Sequence, residues 1–219
     1  MPIKNDREYR NFSSFICTEI VETRAEGEGE EKTLIVEGYA STFDTYDLFT
    51  FENEIYRERI ERNAFDDADM SDVVFLRDHT GTVLARTKNN LVSLSIDDNG
   101  LFTRTDLSKT ESARSMYEDI KAKNYTQMSF AFVTDRNAET WSEEEENGKK
   151  IYTRSIGRIK KLFDISAVSF PANPYTDIGL SARSLFDGAI EELRAERLAK
   201  EQEIRRRAAI ALKIKMKGV

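Results

Sequence analysis

The chain has 219 residues, of which 39% are hydrophobic and 33% charged, and its net charge is −7. That length is enough to bury a core, as one domain or as one domain with an extension. The acidic balance argues against a nucleic-acid binder. No apolar run approaches the roughly 18 residues of a membrane span, and "MPIKNDREYR" lacks an apolar signal core, so a cytosolic setting without membrane attachment is expected. A single cysteine, Cys17, excludes an internal disulfide, and with one histidine, His79, it argues against a zinc or other metal site. The charge is uneven. Residues 194–219 hold nine Lys/Arg against three Glu, a net of +6, which leaves −13 on residues 1–193. An acidic body with a basic tail suggests two modules.

In chain order, Cys17 lies in an apolar patch, "NFSSFICTEI", and reads as a buried thiol. "EGEGEEK" (26–32) reads as a solvated turn ahead of "TLIVEGYAST" (33–42), a β-branched strand candidate. Residues 54–65 suggest a short helix. From 71 the β signal dominates, in "SDVVFLRD", "TVLART", "LVSLSID" and "GLFTRTDL", with Asp97-Asp98-Asn99-Gly100 as the turn before the last. "SKTE" (108–111) is a capping box with Ser108 as N-cap. A helix to about Lys123 should follow, with Ala113, Met116, Tyr117 and Ile120 as its apolar stripe. "YTQMSFAFVTD" (125–135) returns to strand, and "NAETWSEEEENGKK" reads as an acidic surface loop. Residues 151–170 suggest two strands or one bent strand, and "PANP" ends the sheet. Residues 184–216 hold no proline and many helix formers, and read as a long amphipathic helix. The body is thus mainly β with a helix between strands, about seven strands in all, and short, regularly spaced strands suggest a barrel.

Two readings of His79 are open. It is an ordinary surface histidine, or a general base at the polar end of the apolar strand "VVFL". A base needs a nucleophile. In "QMSFAFV", alternation puts Met128, Phe130 and Phe132 on one face, and Gln127, Ser129, Ala131 and Val133 on the other. That second face is small enough for a substrate to approach Ser129; the alternative is an ordinary structural serine in a strand. Asp164 is an acid in an otherwise apolar strand. It orients an imidazole, or it sits at the exposed start of an edge strand, or it pairs with Lys160 or Lys161. A Ser–Lys dyad using Lys121 or Lys123 is a further alternative. Asp66-Asp67 and Asp97-Asp98 read as turn residues. There is no P-loop, no G-x-G-x-x-G, and no G-x-S-x-G elbow of the kind an α/β-hydrolase carries.

Five segments in order, "VEGYASTFD", "IERNAF", "VVFLRDHTG", "GLFTRTDLSKTESARSMYEDIKAKNYTQMSFAF" and "FDISAVSFPANP", resemble the prohead (capsid maturation) proteases of tailed bacteriophages, relatives of the herpesvirus assemblins. The resemblance runs from about 33 to 180. It implies a closed, herpesvirus-protease-like barrel of about seven strands surrounded by helices. It implies His79 as base, Ser129 as nucleophile and Asp164 as the third triad member. The family often has Glu in an E-V-S pattern where this chain has Asp164-Ile165-Ser166, and glycine where it has Ala131. By likeness to the assemblins, backbone N–H groups near Arg158 or Lys160 are candidate oxyanion donors.

The expected substrate is a scaffolding protein, or the scaffold region of a major capsid protein, inside the procapsid in the host cytoplasm. Self-cleavage and a homodimer are also expected, with no cofactor. The expected domains are an N-terminal arm (1–32), a protease barrel (33–181) and a basic helical extension (182–219) that docks on scaffold. Rival readings are a non-enzymatic assembly protein on the same fold and a serine esterase on a β-barrel.

Overall fold

The structure is a computed structural model that describes residues 7–12, 16–23, 30–169 and 177–217, with side chains over 7–10, 33–169, 186–208 and 210. Residues 26–29, the "PANP" segment 171–174 and the Cys17 side chain, on which three expectations fell, lie outside the described residues.

Thirteen strands are described: β1 (Glu8–Phe12), β2 (Ile16–Thr23), β3 (Glu30–Thr42), β4 (Tyr46–Phe51), β5 (Glu54–Ile60), β6 (Val74–Arg77), β7 (Thr80–Arg86), β8 (Val92–Ile96), β9 (Gly100–Asp106), β10 (Gln127–Thr134), β11 (Glu139–Glu146), β12 (Lys149–Ile156) and β13 (Ile159–Val168). Two α-helices accompany them, α1 (Glu111–Lys121) and α2 (Asp177–Lys217).

The strands form three sheets: β1-β10-β13-β6-β7, β11-β12-β5-β4 and β2-β3-β9-β8. The expected closed barrel of about seven strands is therefore incorrect. Closure requires the two end strands of a sheet to hydrogen-bond to each other. Among the described residues β1 and β7, β11 and β4, and β2 and β8 are each paired on one side only. Instead the sheets are wrapped around one shared core. Val36 of β3, Ile60 of β5, Phe75 of β6, Leu101 of β9, Phe130 and Phe132 of β10 and Ile165 of β13 meet there.

Helix α1 closes this core with the expected stripe. Ala113, Met116, Tyr117 and Ile120 are all buried, each large side chain contributing about 1.5–3 kcal/mol. Its N-cap, however, is Thr110 and not Ser108. The Thr110 hydroxyl accepts from the Ala113 N–H at 3.1 Å, while the Ser108 N–H is bound to the Asp106 carboxylate.

Two further expectations are corrected. Residues 54–60 form β5 rather than a helix. Tyr56, Glu58 and Ile60 alternate inward, and the inward position held by Glu58 conceals a strand period among helix-forming residues. The acidic stretch after Ala138 is not a loop but the hairpin β11–β12, turned at Asn147 (φ 53°) and Gly148 (φ 75°). Positive φ at both turn residues matches a primed hairpin turn. Glu145 and Glu146 stand opposite Lys150 and Lys149, which neutralises the acidic run across the strands.

The turn expected at 97–100 is present. The Asp97 carboxylate accepts from the N–H groups of Asn99 and Gly100 at 2.7 and 3.1 Å.

The long C-terminal helix is present and starts at Asp177, before the expected 182 boundary. Phe186 and Ile190 fill a second small core with Tyr56 and Tyr152, against Trp141 and Phe49. From Arg194 to Ala208 every residue is exposed, including Leu198 and Ile204, so that stretch has no buried stripe, and among the described side chains of α2 the buried ones are Phe186 and Ile190.

Candidate active site

Strand β10 runs antiparallel between β1 and β13, and β13 runs parallel to β6. Ser129 is the direct register partner of Ser166, and Ala131 that of Asp164. Opposed residues of an antiparallel pair share a face, so Ser129, Asp164 and Ser166 lie on one side of the sheet. A bulge makes this possible. Leu162 pairs with Phe132 and Asp164 with Ala131, so Phe163 is the extra residue. The bulge lets Leu162 and Ile165, three residues apart, both reach the core while Asp164 turns to Ser129's face.

His79 is delivered by the hairpin β6–β7. Arg77 pairs with Thr80, leaving Asp78 and His79 as a two-residue turn. Both have positive φ, 46° and 57°, a conformation that costs of order 1 kcal/mol for each residue with a side chain. Three bonds offset that strain, two to β13 and one to Ser169 just after it. The Asp78 N–H donates to the Ala167 carbonyl at 3.0 Å. The Asp78 carboxylate accepts from the Ser169 N–H at 3.2 Å. The His79 N–H donates to Ser166 Oγ at 3.2 Å. Next to the turn, Arg77 is held on α1 by Asp119 at 2.8 Å.

The imidazole then bridges two groups. His79 Nε2 is 2.6 Å from Ser129 Oγ, and Nδ1 is 2.6 Å from Asp164 Oδ1. The structure thus brings together the three residues that sequence and resemblance singled out. Asp164 is not paired with Lys160 or Lys161, which bind Asp135 and Asp69. Lys121 and Lys123 are exposed at the end of α1, and Ser129's hydroxyl is bound to His79.

Arg158 and Lys160 are not brought to Ser129. Both pair with Asp135, at the far end of β10, some five to six residues or roughly 17–20 Å along the strand. The Ser129 face is not open either: Ser129 has 0% of its surface exposed and the His79 side chain 14%. The imidazole lies over the serine, and the Tyr9 ring stands edge-on against it with centroids 4.5 Å apart.

Sequence reasoning missed β1 and what holds it. Arg10 is buried and binds Glu58 through Nε and Nη2. Arg154, fully buried, binds Glu58, Glu8 and Glu139. Burial alone would raise the Glu8 pKa, but Arg154 and Arg10 outweigh it and hold the carboxyl at about 2. Glu58 is lowered in the same way, burial being outweighed by Arg10 and then Arg154. This cluster fastens β1 to β5 and β12 and thereby sets Tyr9 beside the imidazole. No sequence signal marks it, because its members lie up to 146 residues apart. Ser166 was legible in principle, two residues from Asp164 on the same strand face.

Among solved structures, the bacteriophage T4 capsid assembly protease is similar at 11% identity with a TM-score of 0.35, covering 75% of this chain and 99% of that one. No curated protein matches. The family profile described as caudovirus prohead serine protease matches residues 19–189. The chain belongs to the caudovirus prohead serine protease family.

Proposed function

We propose that the chain is a serine endopeptidase in which Ser129 is the nucleophile, His79 the general base and Asp164 the group that orients the imidazole. The observation that carries this reading is the double bridge of His79, with Nε2 and Nδ1 each 2.6 Å from a triad partner.

The Ser129 hydroxyl donates to Nε2. As Oγ attacks a peptide carbonyl, that proton moves to Nε2, and the Asp164 carboxylate stabilises the imidazolium. The imidazolium then protonates the leaving amine, leaving an acyl-serine. His79 next takes a proton from water, and the hydroxide attacks the acyl carbon. Proton return to Oγ releases the acid and restores the site.

The family supports a role in capsid maturation. The substrate would be a scaffolding protein, or the scaffold region of a major capsid protein, inside the procapsid in the host cytoplasm, together with the enzyme's own chain. The test is co-expression with the cognate capsid and scaffold proteins, followed by intact-mass spectrometry. Wild type should yield truncated chains, and Ser129→Ala and His79→Ala only full-length ones. Identical masses in wild type and Ser129→Ala would defeat the protease reading.

A non-enzymatic assembly role is a second reading, favoured by one observation: α2 from Arg194 to Ala208 is exposed on all sides. The same experiment separates the two.

A further inference from the structure

We propose that Ser166 is a positioning residue that selects the tautomer of His79 and holds its backbone in place. The inference rests on the triad reading above and assigns a fourth residue to it.

Ser166 is fully buried and its hydroxyl meets three groups. Oγ donates to Asp164 Oδ1 at 2.8 Å, accepts from the His79 backbone N–H at 3.2 Å, and lies 3.2 Å from His79 Nδ1. A serine hydroxyl has one proton. Once that proton is given to Asp164, Oγ faces Nδ1 with lone pairs only. Asp164 Oδ1, an ionised acceptor, also faces Nδ1. A bare Nδ1 would then point its lone pair at two oxygens with no proton between them. Protonated Nδ1 satisfies both. The neutral ring is therefore held as the Nδ1–H tautomer, and the Nε2 lone pair is left free to accept the Ser129 proton. That is the only tautomer competent for general-base chemistry at Nε2.

The backbone contact adds a second constraint. His79 has φ 57° and lies in a turn formed by two non-glycine residues. Ser166 Oγ is the acceptor for its N–H, so one hydroxyl orients both the ring's partner and the turn that carries the ring. Water cannot take this place without a cavity, and Ser166 has no exposed surface.

His79 is the only histidine, so the imidazole of the full-length protein gives a single, unambiguous set of ring 15N resonances. The experiment compares wild type, Ser166→Ala and Ser166→Thr at a pH where the ring is neutral. Ring 15N spectra are recorded together with kcat and KM for a peptide spanning a mapped cleavage site. Wild type should show a protonated Nδ1 and a pyridine-like Nε2. Asp164 still faces Nδ1 in Ser166→Ala, so that variant should shift both ring 15N resonances part of the way toward the tautomer average, with kcat lowered by about 10- to 100-fold and KM within about twofold. Ser166→Thr, which keeps the hydroxyl, should restore the wild-type spectrum.

An unchanged ring spectrum or an unchanged kcat in Ser166→Ala overturns the proposal. Ser129→Ala is run alongside: if that variant still cleaves, the triad reading has failed. If it is inactive while Ser166→Ala matches wild type, the Ser166 assignment alone has failed. The ring spectrum requires no activity, so it tests Ser166 in either case.

Discussion

Ser129 and Ser166 stand directly opposite each other across the β10–β13 pair, although 37 positions separate 129 from 166 in the chain. Asp164, two residues before Ser166, therefore lies on the same face and reaches the imidazole that covers Ser129. An amide at that place preserves the volume but presents an N–H₂ or a weaker acceptor to Nδ1. Asp164→Asn should lower kcat by roughly 10⁴-fold, with little change in melting temperature. Peptide cleavage assays and thermal melts check this. A loss of less than about tenfold would remove Asp164 from the triad.

The charge cluster behind β1 should dominate the effect of single substitutions on stability. Arg154→Ala leaves Glu58, fully buried, with one guanidinium fewer, and should destabilise by about 3–5 kcal/mol. Arg59→Ala breaks a pair whose side chains are 47% and 36% exposed, and should cost under about 1 kcal/mol. Urea unfolding of the two variants gives the comparison. Equal losses would show that the cluster contributes no more than a surface pair.

Acid should loosen the same cluster. Glu8 has its folded pKa depressed from 4.5 to about 2, so its contribution is full above about pH 4.5 and is lost as pH falls toward 2. Glu58 shifts in the same direction. Urea midpoints measured across that window should fall more steeply with acid for wild type than for Glu8→Gln. Parallel curves would count against the assignment.

Two glycines should respond for different reasons. Gly148 has φ 75° and open space around a would-be Cβ, so Gly148→Ala should cost about 1–2 kcal/mol from backbone strain alone. A Cβ on Gly100 would lie 2.0 Å from the Ser41 carbonyl oxygen. Gly100→Ala must shift the β3–β9 pairing and should cost more. Paired denaturation curves rank them.

Phe186 is fully buried and touches Phe49, Tyr56 and Trp141. Phe186→Ala should release the docked part of α2, seen as faster amide exchange over residues 186–193. Exchange in β10 and β13 should stay slow and cleavage unchanged, because the second core shares no residue with the face that carries Ser129 and Asp164. A loss of cleavage would instead tie α2 to the site.

Periodicity made much of this protein readable in advance. The α1 stripe, the alternation of β10 and the Asp97 turn are local patterns. Each depends on residues within a few positions of one another, whose spacing alone dictates which side they face. The ordered motifs likewise singled out His79, Ser129 and Asp164. What misled local reading was any strand whose inward position is polar. β5 hides its period behind Glu58, and β11 carries a run of acids balanced only by the lysines opposite.

Tertiary structure decided the rest. Three open sheets replace one barrel because strand ends pair by geometry, not composition. The Phe163 bulge sets which face Asp164 takes, and Arg10, Glu58 and Arg154 meet only once β1, β5 and β12 are packed. Sequence determined which side chains had chemistry to offer. Their convergence within 2.6 Å depends on long-range register, an energy shared among whole strands and written in no single segment.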